Sequence, residues 1–217
     1  MTNSSINKKS ALIIGATGAL GLQLLRHLAK DPQVDEVHVM ARTPSKLDLN
    51  DRVLATSVQK GNAREPKDIE QALRACGTAI THVILATGNG HDLSKSDTRE
   101  ATGRALATVL IKPEFHHVQA VVMSSHGAGE TKVIVGMGIE QFDTAKGNLK
   151  RRTLVVRPSS LTDDKPLNDL KGIVEFNGTK KGPTINIDRS DVAAWVTREV
   201  ATKKTIGGRK ICLTNAE

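Results

Sequence analysis

Short aliphatic runs alternate along the chain with longer segments in which apolar residues recur every three or four positions. The short runs predict β-strands and the longer segments predict helices, an alternation that is typical of βαβ units with a parallel sheet. Several runs are continuously apolar, as expected for strands that helices cover on both faces. The predicted strands are residues 10–14, 36–40, 53–58, 79–86, 118–124, 153–157, 184–187 and 210–214.

Helical periodicity fills most of the intervals between these runs, with polar caps before the helices and prolines after them. The longest polar stretches, residues 89–95 and 161–181, predict loops, and we expect the second to be a mobile flap with some irregular structure. No repeat or linker interrupts the pattern, so the sequence predicts one three-layer α/β/α domain over residues 1–217, with a small substrate-side region at about 158–185. The predicted helices are residues 18–30, 66–76, 96–111, 188–201 and a shorter one within 139–149.

Composition limits the chemistry and the compartment. Aromatic residues make up only 2% of the chain and tyrosine is absent, so the core is aliphatic and any mechanism that needs a tyrosine is excluded. Cys76 and Cys212 each lie in an apolar segment, which predicts buried thiols in a reducing compartment. The first ten residues are polar and no run of about eighteen apolar residues occurs, so we expect a cytoplasmic protein without a membrane span.

The formal net charge of +8 is compatible with nucleic acid, an anionic surface or a phosphorylated small ligand as the partner, and it also favours general solubility. Lysine and arginine are spread through the chain, and no basic strand carries the interleaved aromatics that stack on bases. A polyanionic small ligand explains the charge without nucleic acid. We therefore expect a small-molecule acceptor as the partner, no nucleic acid and no membrane, in a monomer or homodimer.

A glycine-rich turn joins the first predicted strand to the first predicted helix. Its first glycine permits a sharp turn, its second permits close approach of a diphosphate, and its third lets the helix pack against the sheet. The free N–H groups and positive dipole end of the helix then face the phosphates. Strand, turn, helix and second strand together predict a Rossmann-type, doubly wound, mostly parallel fold that binds a dinucleotide. The predicted contacts are Gly15, Thr17, Gly18, Ala19, Leu20 and Gly21.

The end of the second strand indicates which dinucleotide binds. NAD-specific sites place an acidic residue there for the ribose hydroxyls, whereas this chain has no acid before Asp48. Arg42 is suited to a 2′-phosphate and to stacking on adenine, with Ser45 or Lys46 adding a donor or a charge. The alternative is a solvated basic turn. The pattern favours NADP(H) over NAD(H).

The loops after the third and fourth strands supply further candidates. Asn62 is placed to hydrogen-bond the edge of adenine, or it is a simple loop residue, and the sequence leaves both open. After the fourth strand, small residues are expected where the middle of the cofactor passes, although turn chemistry alone also explains them. The candidates are Gly61, Asn62, Ala63, Ala86, Thr87 and Gly88.

Six segments together resemble the atypical short-chain dehydrogenase/reductase superfamily, and the nearest groups are the NmrA-like NAD(P)H-binding proteins and the flavin reductase/biliverdin IXβ reductase family. These segments occur in family order and cover most of the chain. They are GATGALG at 15–21, MAR at 40–42, GNAREPKDIEQAL at 61–73, VVMSSHGAG at 121–129, LVVRPSSLTD at 154–163 and INIDRSDVAAWV at 185–196.

The resemblance implies a site near the nicotinamide, with departures. The Tyr-x-x-x-Lys pair of the wider superfamily is impossible here, since the chain has no tyrosine. Ser124 or Ser125 matches the serine that lies near the nicotinamide in the flavin and biliverdin reductases. Where those relatives have a histidine after the proline, Ser159 follows Pro158, and Asn62 stands where relatives commonly have aspartate.

The candidate catalytic residues are Ser124, Ser125 and His126, with Ser124, Pro158 and Ser159 also placed against the cofactor. His126 is able to donate a proton near neutral pH, or it is a loop residue without a role. No metal site is expected, because the histidines show no metal-binding spacing.

The leading hypothesis is an NADPH-dependent reductase of a flavin, a quinone or a similar conjugated acceptor, which takes its proton from water. The alternative is a non-catalytic NADP(H)-binding redox sensor that regulates a partner. A sugar-nucleotide epimerase or dehydratase is disfavoured, because those enzymes need the tyrosine and a larger C-terminal region.

Overall fold

A computed structural model describes residues 9–88, 97–124, 148–167, 169–176 and 186–215 of the chain. The strands in these ranges are β1 (Lys9–Ile14), β2 (Val34–Ala41), β3 (Ser57–Lys60), β4 (His82–Leu85), β5 (Gln119–Met123), β6 (Thr153–Pro158), β7 (Ser160–Thr162), β8 (Ile173–Phe176), β9 (Asn186–Asp188) and β10 (Arg209–Asn215). The α-helices are α1 (Ala19–Leu28), α2 (Leu49–Arg52), α3 (Pro66–Ala75), α4 (Thr98–Leu110) and α5 (Arg189–Thr202).

Eight of the strands form one sheet in the order β3-β2-β1-β4-β5-β6-β10-β8, while β7 and β9 form a separate parallel pair. Neighbours in the large sheet are parallel except β8, which is antiparallel to β10. From β1 the chain proceeds first towards β3 and then, from β4 on, in the opposite direction across the sheet. This change of direction leaves a crevice beyond the carboxyl ends of β1 and β4, where open α/β sheets bind ligands.

Alternate residues of each strand face two separate apolar layers. On β1, Ala11 and Ile13 pack into the layer that contains the buried side chains of α1 and α5. Leu12 and Ile14 pack into the layer formed with α3 and α4. Each fully buried aliphatic side chain contributes about 1.5–3 kcal/mol, so the two layers hold helices against both faces. The predicted α/β/α fold is confirmed.

The edge of the sheet beyond β10 differs from the expectation. Residues 161–181 were expected to form an irregular flap, but their described part contains most of β7 and all of β8, which completes the sheet. The indole N–H of the buried Trp195 donates to the carboxylate of Glu175 on β8, at 2.7 Å. This tertiary hydrogen bond is absent from any local sequence pattern, which is why the strand was missed.

The predicted third strand also needs correction. The expected strand at 53–58 starts late, because the side chain of Asp48 accepts from the backbone N–H of Asp51 at 2.8 Å and caps the short helix α2. Val53 is consequently 80% exposed, and β3 starts at Ser57.

The predicted helix within 139–149 falls largely outside the described residues, as does the loop at 89–95. Among the residues that are described, no helix has the length and apolar character that crossing a membrane requires.

At the amino edge of the sheet, where the parallel strands begin, polar side chains form hydrogen bonds with main-chain groups of the neighbouring loops. The guanidinium of Arg152 donates to the carbonyl oxygens of Leu110 and Phe115, each at 3.0 Å, and to that of Val118. The side-chain amide of Gln119 donates to the Lys204 carbonyl at 3.0 Å and accepts from the Ile206 N–H at 2.7 Å. These contacts fasten the loops that precede β5, β6 and β10.

Candidate cofactor-binding site

A cavity of about 500 Å³ opens at the carboxyl edge of the sheet, where β1, β2, β3 and β4 end. Its walls are the loops that follow these four strands and the first turns of α4. A cleft of this size is within the range that holds small ligands. The lining residues are Ile14, Gly15, Thr17, Gly18, Met40, Ala41, Arg42, Thr43, Lys46, Gly61, Asn62, Ala63, Arg64, Ala86, Thr87, Gly88, Thr98 and Thr102.

Gly15 turns the chain at the end of β1. Its φ angle of +97° is one that side chains rarely permit, and an added Cβ would lie 3.0 Å from the carbonyl group of Ala86. The loops after β1 and β4 therefore touch at this point. The backbone N–H of Gly15 donates to the Met40 carbonyl at 3.2 Å, which ties the turn to β2 as well.

The other two glycines of the turn differ from each other. A Cβ on Gly21 would lie 2.2 Å from the Gly15 carbonyl oxygen, so only glycine lets α1 begin so close to the turn. A Cβ on Gly18 would meet only that same oxygen, at 3.4 Å, which is an ordinary contact. Gly18 is exposed and lines the cavity. Close packing of α1 against the turn therefore requires a glycine at position 21. At position 18 packing makes no such demand, and the open space above the Gly18 backbone is where a diphosphate would fit.

The positive end of the α1 dipole is not compensated by any side chain at the start of the helix. No side chain caps it, and its first turn contains no acidic residue. The first N–H groups of an α-helix have no partner within the helix, and they carry the positive end of its dipole. Ala19, Leu20 and Gly21 form this first turn and do not themselves line the cavity, whereas Thr17 and Gly18 do. The residues present therefore fit an anionic diphosphate.

Three cations line the outer part of the cavity. Arg42 and Lys46 come from the segment after β2, and Arg64 comes from the loop after β3. None of the described lining residues is an aspartate or a glutamate. Ser45, the other predicted residue of this segment, is exposed in the 3-10 turn and lies outside the lining. The outer cavity therefore presents positive charge to its ligand.

Arg64 is held by the start of α4. Its guanidinium forms a two-pronged ion pair with Asp97, at 2.5 and 3.0 Å, and donates to the hydroxyl of Thr98 at 3.1 Å. The hydrogen bond to Asp97 raises the pKa of Arg64, and the same bond lowers the pKa of Asp97. The contact ties α4 to the loop after β3, a role that the sequence pattern did not indicate.

Asn62 lies in the cavity wall with part of its hydrogen bonding already committed. Its backbone N–H donates to Asp68 at 2.7 Å, and its side-chain oxygen accepts from the Arg64 N–H at 3.2 Å. Gly61 and Ala63 lie beside it in the lining. An amide oxygen has a second lone pair, so both of the roles that the sequence left open for Asn62 remain compatible with the structure.

The loop after β4 contributes Ala86, Thr87 and Gly88 to the same wall. A Cβ on Gly88 would lie 3.3 Å from the guanidinium of Arg99. Burial lowers the pKa of Arg99. On the opposite side of this loop, Thr98 and Thr102 of α4 complete the lining. Sequence reasoning missed these threonines, although their spacing of four places them on one helical face.

The predicted residues after β5 and β6 are not in the cavity lining. Ser124 is buried, and its N–H donates to the Val156 carbonyl at 2.8 Å. The N–H of Ser159 donates to the Leu213 carbonyl at 2.9 Å, and its hydroxyl lies 3.4 Å from that of Thr214. Pro158, which ends β6, is buried beside them. Ser125 and His126 lie outside the described residues, so the assignment of a catalytic role stays a prediction.

Within the described ranges, no group of three or more histidine, cysteine, aspartate or glutamate residues is placed to hold a metal ion. Both cysteines are buried, and burial raises the pKa of Cys76 to about 12, so its thiol stays protonated and unreactive.

Solved structures of several proteins share the fold. A putative NAD-dependent epimerase/dehydratase from Bacillus halodurans superposes with a TM-score of 0.74 at 18% identity, over 96% of this chain and 95% of that one. A wide-type short-chain dehydrogenase/reductase from Veillonella parvula DSM 2008, solved with NADP, has a TM-score of 0.71 at 14% identity, over 95% and 94%. The Citrobacter sp. triphenylmethane reductase, solved with NADP(H), has a TM-score of 0.65 at 14% identity, over 93% and 68%.

A search of curated protein sequences finds no relative that matches significantly. The sequence profile of the NAD(P)H-binding family matches residues 15–203, which run from the glycine turn to the end of α5. That span includes every loop that forms the cavity. The chain therefore belongs to the NAD(P)H-binding family, which confirms that part of the expected resemblance, and the solved structures agree with its fold.

Proposed function

We propose that this protein is an NADPH-dependent reductase that transfers hydride to a flavin, a quinone or a similar conjugated acceptor. The observation that carries the proposal is the outer cavity, which Arg42, Lys46 and Arg64 line without any described carboxylate. Hydride transfer is the chemistry that the nicotinamide supplies when it is bound. The residues of this chain hold the cofactor and select it.

The choice of NADPH over NADH rests on charge. An NAD site presents a carboxylate to the ribose hydroxyls, and such a carboxylate would repel a 2′-phosphate. Here the segment after β2 presents Arg42, which is exposed and makes no ion pair with the part of the chain that is described. A guanidinium binds phosphate through paired, charge-assisted hydrogen bonds. Arg64 is already engaged by Asp97, so Arg42 and Lys46 are the proposed phosphate ligands.

The class of acceptor follows from the proton supply. The chain has no tyrosine that could donate a proton to the acceptor. Conjugated acceptors such as flavins and quinones take their proton from water after reduction, so they need no acidic side chain. The triphenylmethane reductase that shares this fold is, by its name, a reductase of a conjugated substrate, which is consistent with the proposal.

A non-catalytic NADP(H) sensor is the second candidate. It is favoured by the missing tyrosine, since the chain lacks the Tyr-x-x-x-Lys pair. The two candidates share the binding site and differ only in turnover.

One pair of measurements tests the cofactor and the activity. Calorimetry with NADPH and NADH on Arg42→Ala should show a loss for NADPH that exceeds the loss for NADH by about 1–3 kcal/mol. Arg52→Ala is the matched control, because Arg52 is an exposed arginine of α2 outside the cavity lining. Equal losses for both nucleotides would refute the phosphate role of Arg42.

Activity is tested by following NADPH absorbance with FMN, a simple quinone and biliverdin as acceptors. The reductase proposal expects turnover with at least one of them, and the rate should fall in Arg42→Ala at low NADPH. Tight NADPH binding without turnover on any acceptor would favour the sensor.

A further inference from the structure

Arg157, the penultimate residue of β6, holds a positive charge at the carboxyl edge of the sheet. Its side chain is partly buried, and its Nε is enclosed without a hydrogen-bond partner. With the part of the chain that is described, the guanidinium forms neither an ion pair nor a hydrogen bond. Because an enclosed guanidinium N–H without an acceptor is unfavourable, Arg157 is suited to a ligand that supplies an acceptor.

The strand register fixes the face of the sheet on which Arg157 lies. Leu154 and Val156 pack into the apolar layer of α1 and α5, and successive side chains of a strand alternate, so Arg157 lies on the face that α3 and α4 cover. Met123 of β5 pairs with Val156, and the next N–H, that of Ser124, donates to the Val156 carbonyl. Ser124, the serine that the family resemblance places near the nicotinamide, is therefore the direct neighbour of Arg157 on β5.

The neighbours of Arg157 on the other side are hydroxyls and an apolar side chain. Ser159 is two residues further along the chain and therefore shares the face, and its hydroxyl lies 3.4 Å from that of Thr214 on β10. Thr214 pairs in turn with Val174 on β8, which is 39% exposed. The carboxylate of Glu175 is on the opposite face, where it binds α5. A cation, two hydroxyls and an exposed apolar residue thus form one row across β6, β10 and β8.

This row lies beyond the cofactor cavity. The cavity is lined by the loops after β1, β2, β3 and β4, and β6 is the second strand after β4 in the sheet. Neighbouring strands are about 4.8 Å apart, so the end of β6 lies roughly 10 Å from the end of β4. The phosphates of the cofactor have their own proposed ligands, at the start of α1 and at Arg42. Arg157 is therefore placed for the second substrate.

We infer that Arg157 binds an anionic group of the acceptor, so that the acceptor is a conjugated ring system that carries a phosphate or a carboxylate. This inference rests on the proposed function and narrows its substrate class. A guanidinium binds either anion through paired, charge-assisted hydrogen bonds. Val174 offers apolar surface to the ring system in the same row. A neutral quinone has no anionic group for Arg157 and is a poorer substrate.

The first test separates a ligand-binding role from a structural one. Arg157→Met keeps an unbranched apolar stem and removes the charge, and Arg157→Lys keeps the charge. Since Arg157 bonds to none of the described residues, thermal denaturation should show a melting temperature of Arg157→Met that is unchanged or raised. The affinity for NADPH should also be unchanged. A marked loss of stability would show that Arg157 holds the fold together and would overturn the inference.

The second test measures acceptor binding without turnover, by calorimetry on the protein saturated with NADP⁺. FMN is compared with riboflavin, which has the same ring system without the phosphate, and biliverdin is compared with its dimethyl ester. The wild-type protein should bind at least one anion roughly tenfold more tightly than its neutral counterpart. A preference in the flavin pair identifies a phosphate, and a preference in the bilin pair identifies a carboxylate.

Arg157→Met should abolish this preference, and Arg157→Lys should keep part of it. Arg151→Met is the matched control, because it removes the same charge from an exposed arginine at the other end of the strand and should keep the preference. An equal affinity for the charged and neutral ligands in the wild-type protein would overturn the inference, as would a preference that survives in Arg157→Met. Failure of the wild-type protein to bind NADPH would instead refute the proposed function.

Discussion

Arginines at the two edges of the sheet are used differently. At the amino edge, Arg152 donates to three carbonyl oxygens of the loops around it. At the carboxyl edge, Arg42 is exposed in a cavity wall and forms no ion pair within the described ranges. Threonines show the same contrast. Thr81 both accepts from and donates to the backbone of Ser10, whereas Thr87 lines the cavity.

The two edges differ in how much hydrogen-bonding capacity remains available to a ligand. At the amino edge the polar groups described above are consumed in holding loops together, so they stabilise the fold. At the carboxyl edge the first N–H groups of α1, Arg42 and Lys46 are available to a ligand. Substitutions of Arg152 at the first edge should change stability without changing affinity, and substitutions of Arg42 or Lys46 at the second edge should do the reverse.

Arg152→Met should have the largest effect. It leaves three carbonyl oxygens without their donor, and we expect the free energy of unfolding to fall by about 3–5 kcal/mol. Urea denaturation measures this loss, and the affinity of the folded protein for NADPH should be unchanged. Arg151→Ala is the control, since the side chain of Arg151 is exposed and should matter by less than about 0.5 kcal/mol. Equal losses in both variants would contradict the assigned role of Arg152.

Gly18→Ala and Gly21→Ala should separate binding from packing. The Gly21 variant places a Cβ 2.2 Å from the Gly15 carbonyl oxygen, so it should lose about 1–3 kcal/mol of stability as well as affinity. The Gly18 variant has room for its methyl group and should keep its melting temperature, but it should bind NADPH about 10- to 100-fold more weakly. Unaltered affinity in Gly18→Ala would mean that no ligand approaches the turn there.

The sequence was sufficient for the parts of the molecule that local patterns encode. The aliphatic runs located β1 and β2 closely, and the glycine turn identified the loop at which the cavity forms. The two threonines of α4 and the Arg64–Asp97 pair were missed, because they depend on how α4 packs against loops far away in the chain. The edge strand β8 was missed for the same reason, since its contact with Trp195 is tertiary.

Part of the pH dependence of stability should come from a buried histidine at the amino edge. Burial lowers the pKa of His82, the first residue of β4, to about 3 from an ordinary value of 6.5. Between these values protons bind preferentially to the unfolded chain, so stability is full above pH 6.5 and is lost as the pH falls towards 3. The slope from this residue is at most about 1.4 kcal/mol per pH unit. Urea denaturation across this range should show a flatter profile for His82→Gln, and an identical profile would show that His82 is not the cause.

Asp97→Asn should have the smallest effect. The side chains of Asp97 and Arg64 are 68% and 39% exposed, and ion pairs at such exposure contribute little to stability. Thermal denaturation should show a slight loss that disappears at high salt. A loss comparable to that of Arg152→Met would mean that the carboxyl edge also depends on its ion pairs for stability.

The central claim is that the amide groups at the start of α1 hold a diphosphate, and nuclear magnetic resonance of the ¹⁵N-labelled protein tests it most directly. Titration with NADPH should saturate, with the largest backbone amide shifts at Gly18, Ala19, Leu20 and Gly21 and negligible shifts at Gln119 and Arg152 on the opposite edge. Saturable binding that leaves the amides of residues 18–21 unmoved would contradict the claim.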